Sequence, residues 1–134
     1  MASPESIIVA EILAEYGALP DLRLWRNETA GAWVGKVVGR TKAGDLVLRG
    51  ARMIQAGLCV GSSDLIGLEA VACPVCHDWG VARFLAIEVK TPRGRAADQQ
   101  KLYVNMVNEL GGLAGFATSP KDVEALLRRG SSSL

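Results

Sequence analysis

Phe84-Leu85-Ala86-Ile87-Glu88-Val89-Lys90 reads as an extended segment that is apolar throughout except for an acid and a base two residues apart. Side chains of a strand alternate, so Glu88 and Lys90 project from one face while Leu85, Ile87 and Val89 project from the other. A strand apolar on both faces belongs in the middle of a sheet. Charges placed there are costly unless they are paired, hydrogen-bonded or bound to a metal. The segment therefore predicts both a central strand and a site at its end.

The rest of the chain supplies the layers around such a strand. Ser3-Pro4-Glu5 is a helix start with Ser3 at the N-cap, and the helix is expected to run to about Tyr16. At about 100° per residue, Ile8, Val9, Ile12 and Tyr16 form one apolar stripe with Glu5 in its middle, while Glu11 and Glu15 fall outside. Glu5 is thus either a functional acid turned inward or a first-turn residue complementing the helix dipole. Trp33 to Gly39 and Leu46 to Leu48 read as short strands of a hairpin turning at residues 41–45, and residues 57–63 as a small-residue loop. Asp64 to Ala72 is a strand. The spacing of Leu102, Tyr103, Met106, Val107 and Leu110 predicts a helix over residues 96–110, stopped by Gly111-Gly112. Leu113 to Thr118 follows as a strand, and Ser119-Pro120 opens a last helix ending near Arg129. This order predicts an α/β fold, a mixed central sheet flanked by helices, in a single domain over residues 1–130 with a frayed tail at 131–134.

Overall charge is nearly balanced, with 15 Lys and Arg against 14 Asp and Glu, but between Arg23 and Arg52 seven basic residues face only Glu28 and Asp45. Arg26, Arg40, Arg49 and Arg52 in that stretch are candidate phosphate contacts; an ordinary solvated face accounts for them equally well. Three cysteines without a leader-like start predict a reduced, cytoplasmic protein rather than a disulfide scaffold. No apolar run approaches the ~20 residues of a membrane-spanning helix.

Asp64 opens the strand after Gly61-Ser62-Ser63, where small residues would let a phosphate approach the backbone. An acid on one strand and an acid plus lysine on the next can meet at one point. Carboxylates are hard oxygen ligands suited to Mg²⁺, which keeps several waters and contacts substrate phosphate. Such an ion would polarise a phosphodiester, with Lys90 positioning water or stabilising developing charge. Two other classes are compatible with the basic stretch: a non-catalytic DNA-binding module, which leaves the buried acids unexplained, and an RNA-directed nuclease.

Taken together, Gly61-Ser62-Ser63-Asp64-Leu65-Ile66-Gly67, Ile87-Glu88-Val89-Lys90 and the later Gln100 and Gly111-Gly112 resemble the VRR-Nuc branch of the PD-(D/E)XK nucleases. The likeness extends from Glu5-Ser6 through Trp25-Arg26-Asn27 to Thr118-Ser119-Pro120-Lys121-Asp122-Val123. It implies a restriction-endonuclease-like fold and Mg²⁺- or Mn²⁺-dependent cleavage of DNA, often branched. It places Asp64, Glu88 and Lys90 in catalytic positions, with Glu5 as the first-helix acid and Asp64, Glu88 and Glu5 as metal ligands. Family spacing selects Gln100 as the helical glutamine, whereas the helical wheel puts Gln99 nearer the apolar face. Asn27, Ser62 and Ser63 join the arginines as candidate DNA contacts. Cys73-Pro74-Val75-Cys76-His77 departs from the pattern: Cys73, Cys76 and His77 are either three ligands of a second metal site or a reduced hairpin tip whose turn Pro74 sets. One acidic cluster per chain makes one cut, so cleavage of both strands predicts a homodimer, with Leu22, Leu24, Trp25 and Trp33 as candidate contact residues.

Overall fold

A computed structural model describes residues 3–73 and 75–131 of the chain. Helix α1 spans Pro4–Tyr16; the Ser3 hydroxyl accepts the Ser6 amide at 3.1 Å and Pro4 sits where a helix needs no amide donor. Val9, Ile12 and Tyr16 are buried, Glu11 and Glu15 exposed, and Glu5 half-buried. A short hairpin follows, β1 (Ala18–Leu19) and β2 (Leu22–Arg26). Strand β2 was not evident as an internal strand, yet it lies between β1 and β5 (Leu65–Ala72). Its alternation sends Leu22 and Leu24 into the core and Trp25 outward, which corrects the expectation that all three are exposed together.

The central sheet has the order β1-β2-β5-β6-β7, with β6 at Gly80–Val89 and β7 at Leu113–Ala117. β6 is antiparallel to β5 and parallel to β7, so the sheet is mixed. The parallel crossover is α2 (Asp98–Glu109), ended by Gly111 at a φ of 88° that glycine adopts readily. After β7 comes α3 (Pro120–Ser131). One sheet face, carrying Leu24, Leu65, Leu85, Ile87 and Val89, packs with α1 and α3 in the main core. On the other face α2 covers β6 and β7 through Tyr103, Val104 and Val107. Among the described residues no helix covers the β2–β5 half of that face, and Trp25 and Leu68 are exposed. These features, a mixed five-stranded sheet flanked by helices, agree with a restriction-endonuclease-like core.

The expected hairpin is larger than its sequence signal, and it stands apart. Strands β3 (Gly31–Arg40) and β4 (Leu46–Gln55) have ten residues each and form their own two-stranded sheet. Among the described residues they pack mainly on each other, and Gln55 ties their foot to the Thr29 carbonyl after β2 at 2.7 Å. Two bulges interrupt the ladder, and these break the alternation that would have revealed strands of this length. β6 likewise begins at Gly80, four residues before Phe84, with Gly80, Val81 and Ala82 exposed and Arg83 buried. Arg83, within it, bonds Glu69 at 2.5 Å and the Gly130 carbonyl at 2.8 Å, tying the end of α3 to the sheet. Helix α3 includes Ser131, which was expected in the tail; Ser132, Ser133 and Leu134 lie outside the described residues, as does Pro74. Among the described residues no helix is long and apolar enough to cross a membrane.

Candidate functional site

The β5–β6 register pairs Leu65 with Ile87, so the next step along the ladder sets Asp64 opposite Glu88. Asp64 lies just before β5, where its carbonyl accepts the Asn27 amide at 2.7 Å and its Oδ2 accepts the Val89 amide at 2.8 Å. Ile87 and Val89 anchor the strand in the core while Glu88 turns to the α2 face, 1% exposed. Lys90 follows the strand, its amide held by the Ala117 carbonyl at 2.9 Å, and its ammonium meets Glu88 Oε1 at 2.7 Å. Gln100, in the first turn of α2, donates to the same oxygen and accepts the Ala97 amide at 2.8 Å. Gln99 is exposed and instead lies over Gly61, where any side chain would collide with it. Thus Gln100 is the glutamine that touches the acid pair.

Glu88 has one satisfied oxygen and one orphan: Oε2 is buried without a hydrogen-bond partner. Burial raises the pKa of its carboxyl from 4.5 to about 7, against the hydrogen bond from Lys90, and the negative charge of Asp64 adds to the rise. Lys90 is itself opposed by burial, yet its hydrogen bond to Glu88 and the charges of Glu88, Glu5 and Asp64 raise its pKa and keep it cationic. A buried carboxylate oxygen without a donor, beside a second carboxylate, is the environment a hard divalent cation relieves. Mg²⁺ needs only one or two carboxylates and completes its shell with water, so Asp64 and Glu88 fit it.

Glu5 and Asp64 line one cleft of about 220 Å³ with Ser6, Arg26 and Glu28. Glu5 does not join Asp64 and Glu88 as a third close ligand: among the described residues no three His, Cys, Asp or Glu side chains gather tightly enough to hold a metal. Cys73, Cys76 and His77, read from sequence as either metal ligands or a reduced hairpin tip, likewise form no such group among the described residues. Those residues sit in the turn joining β5 to β6, at the far end of both strands from Asp64 and Glu88, with Cys76 and His77 exposed. Hydrogen bonds from the turn's backbone, Cys76 and Val75 first, lower the Cys73 pKa.

The candidate DNA contacts divide sharply. Asn27, Ser62 and Ser63 are buried and point inward. Asn27 donates to Ser62 Oγ at 2.9 Å and to the Ser63 carbonyl at 2.8 Å, and accepts the Leu58 amide at 3.1 Å. These residues brace the loop that delivers Asp64, a role the sequence pattern does not distinguish from phosphate contact. Arg26 faces the cleft, paired with Glu28 at 3.0 Å and reaching Ser6 Oγ at 3.3 Å. Arg40, Arg49 and Arg52 lie on the β3–β4 ribbon, all exposed. Lys36 was not singled out, and it lies directly opposite Arg49. Only the bulged register brings that pair to notice.

Comparison with curated proteins and with solved structures gave no match to this chain. A family model, described as the VRR-NUC domain, matches residues 45–120 and so takes in Asp64, Glu88, Lys90 and Gln100. Glu5, Arg26 and Asn27, which the sequence resemblance also includes, stand outside the matched segment. The match spans more than half of the 134 residues, and the chain belongs to the VRR-NUC family, a family of nuclease type.

Proposed function

We propose that the protein is a Mg²⁺- or Mn²⁺-dependent endodeoxyribonuclease acting on branched DNA. The observation that carries this reading is the orphaned, buried oxygen of Glu88 beside Asp64, with Lys90 and Gln100 both committed to its other oxygen. Asp64 and Glu88 would hold the ion, and the ion would supply positive charge against the scissile phosphate and acidify a water molecule. Lys90 keeps its proton and presents a fixed cation to the charge that develops on the phosphate. Gln100 fixes the carboxylate's orientation from α2, and the Val89 amide does the same for Asp64. Glu5 stands across the cleft, where it can orient water or a second cation through its hydration shell.

A homodimer completes this reading, since a two-fold pair of sites can address two strands of a junction. Trp25 and Leu68 on the open half of the sheet, and Trp33 and Met53 on the ribbon, supply exposed apolar surface for it. Leu22 and Leu24 do not, being buried in the core. The test is cleavage of labelled four-way junction, matched duplex and RNA with Mg²⁺ and with chelator, alongside light scattering at micromolar concentration. Metal-dependent cutting of the junction by a species of dimer mass is expected. No cutting of any DNA with Mg²⁺ or Mn²⁺ would overturn the nuclease reading, and a monomeric mass at every concentration the dimer.

A further inference from the structure

Resting on the nuclease reading above, we infer that one face of the β3–β4 ribbon is the seat of a duplex arm of the DNA, held through its phosphates beside the cleft. Cross-strand partners share a face, so Lys36 lies with Arg49, and Val34 with Arg52. Alternation along β3 puts Val34 and Lys36 on the same side, which gathers Lys36, Arg49 and Arg52 on one face. Arg49 and Arg52 are three residues apart and would fall on opposite faces of a regular strand. The extra residue in β4, with Gly50 at a φ of 63°, brings them together.

The opposite face is chemically different. Trp33 pairs with Met53 and Val37 with Leu48, and the second bulge places Arg40 there beside Leu46. Arg40 bonds the Gly44 carbonyl at 3.1 Å at the turn. The ribbon therefore gathers three cations on one side and Trp33 and Met53 on the other, where Arg40 lies only near the turn, which separates a DNA surface from the apolar surface assigned above to the second copy.

Three features select a duplex arm as the occupant of the cationic face. Like charges directly opposite one another destabilise a ladder, and among the described residues Lys36, Arg49 and Arg52 form no ion pair with an acid; a row of phosphates removes that repulsion. The ribbon's foot is built into the cleft wall: Gln55 donates to the Thr29 carbonyl at 2.7 Å, and residues 26–30 line the cleft with Glu5 and Asp64. DNA with a phosphate at Asp64 and Glu88 passes that foot. Finally, Lys36, Arg49 and Arg52 fall on two successive same-face rungs, roughly 7 Å along the strand, within reach of one stretch of duplex backbone. The ten-residue strands that carry them run for roughly 33 Å, room for an arm of about one ~34 Å duplex turn. The face carries cations without amide side chains, so it tracks backbone and shape rather than sequence.

The test measures binding without cleavage, in chelator, by anisotropy of a labelled fork whose duplex arm is about 20 or about 8 base pairs, the longer exceeding one helical turn. Lys36→Ala with Arg49→Ala is compared with Arg40→Ala with Lys42→Ala, which removes equal charge from the other face and the turn. The first double variant is expected to lower the salt slope by about 1.8, at roughly 0.9 per lost contact, and to abolish the preference for the longer arm. The charge-conserving Lys36→Arg with Arg49→Lys is expected to restore both. Equal losses in the two alanine doubles, an unchanged slope, or an equal loss on an A-form RNA duplex would overturn the inference. Cleavage of the same fork by the unsubstituted protein with Mg²⁺ is scored separately, so a failed nuclease reading is told apart from a failed ribbon.

Discussion

At the end of β6, Glu88 is 1% exposed, with one oxygen held by Lys90 and Gln100 and its backbone locked between β5 and β7. On the β3–β4 ribbon, Lys36, Arg49 and Arg52 are exposed on two strands that form their own sheet. Both regions concentrate charge, but the surroundings set different consequences. Inside the sheet a carboxylate cannot be hydrated, so its environment raises its pKa and leaves Oε2 without a hydrogen-bond partner. On the ribbon every cation is hydrated and screened, so its contribution comes from number, register and direction rather than from any one contact. The first region is suited to chemistry at one atom, the second to holding an extended polyanion.

The largest difference between the two regions should appear in stability. Ile87→Ala removes a fully buried side chain behind Glu88 and is expected to cost about 2–5 kcal/mol. Trp33→Ala, on the exposed apolar face of the ribbon, should change the stability of the isolated chain by no more than about 0.5 kcal/mol. Chemical denaturation at low concentration checks both, and comparable losses would mean that the ribbon packs into the fold.

Glu88 sharpens the contrast through pH. Its folded pKa of about 7 lies above the ordinary 4.5, so the folded state binds the proton more tightly than the unfolded one. This group's contribution to stability is full below about pH 4.5 and is lost as pH rises through about 7. In chelator, Glu88→Gln is expected to be more stable than the unsubstituted protein at pH 8 by on the order of 2–3 kcal/mol, with the advantage shrinking toward pH 5. A constant difference between the two proteins across that range would contradict the buried, protonated acid.

A smaller effect separates bracing from binding. Asn27→Ala leaves the Leu58 amide and the Ser62 and Ser63 oxygens without their partner, and should cost about 1–3 kcal/mol in thermal or denaturant melts. A direct DNA contact predicts something else: unaltered stability with weakened binding.

How much of this was legible in the sequence depended on whether a pattern was local. Helices α1, α2 and α3 announced themselves through capping residues and apolar spacing, and β6 through its unbroken apolar run. The acid pair was legible because strand alternation fixes Glu88 and Lys90 on one side whatever the tertiary context. Strand β2 escaped because five residues with two inward leucines also read as a loop. The length and isolation of the ribbon escaped because bulges at Gly50 and Val38 break its period, and nothing local tells a freestanding hairpin from one joined to a sheet. Burial was the least visible property. Ser62, Ser63 and Asn27 have the composition of a phosphate-binding turn, and only the closure of the loop onto β2 turns them inward. Gly111-Gly112, by contrast, stopped α2 where expected.

The central claim, that Asp64, Glu88 and Lys90 perform cleavage, is tested most directly by single-turnover cutting of a labelled four-way junction with Mg²⁺. Lys90→Ala and Asp64→Asn are each expected to slow cutting on the order of 10³-fold while both variants stay folded and still bind the junction. Lys90→Ala cutting at the unsubstituted rate would contradict the claim.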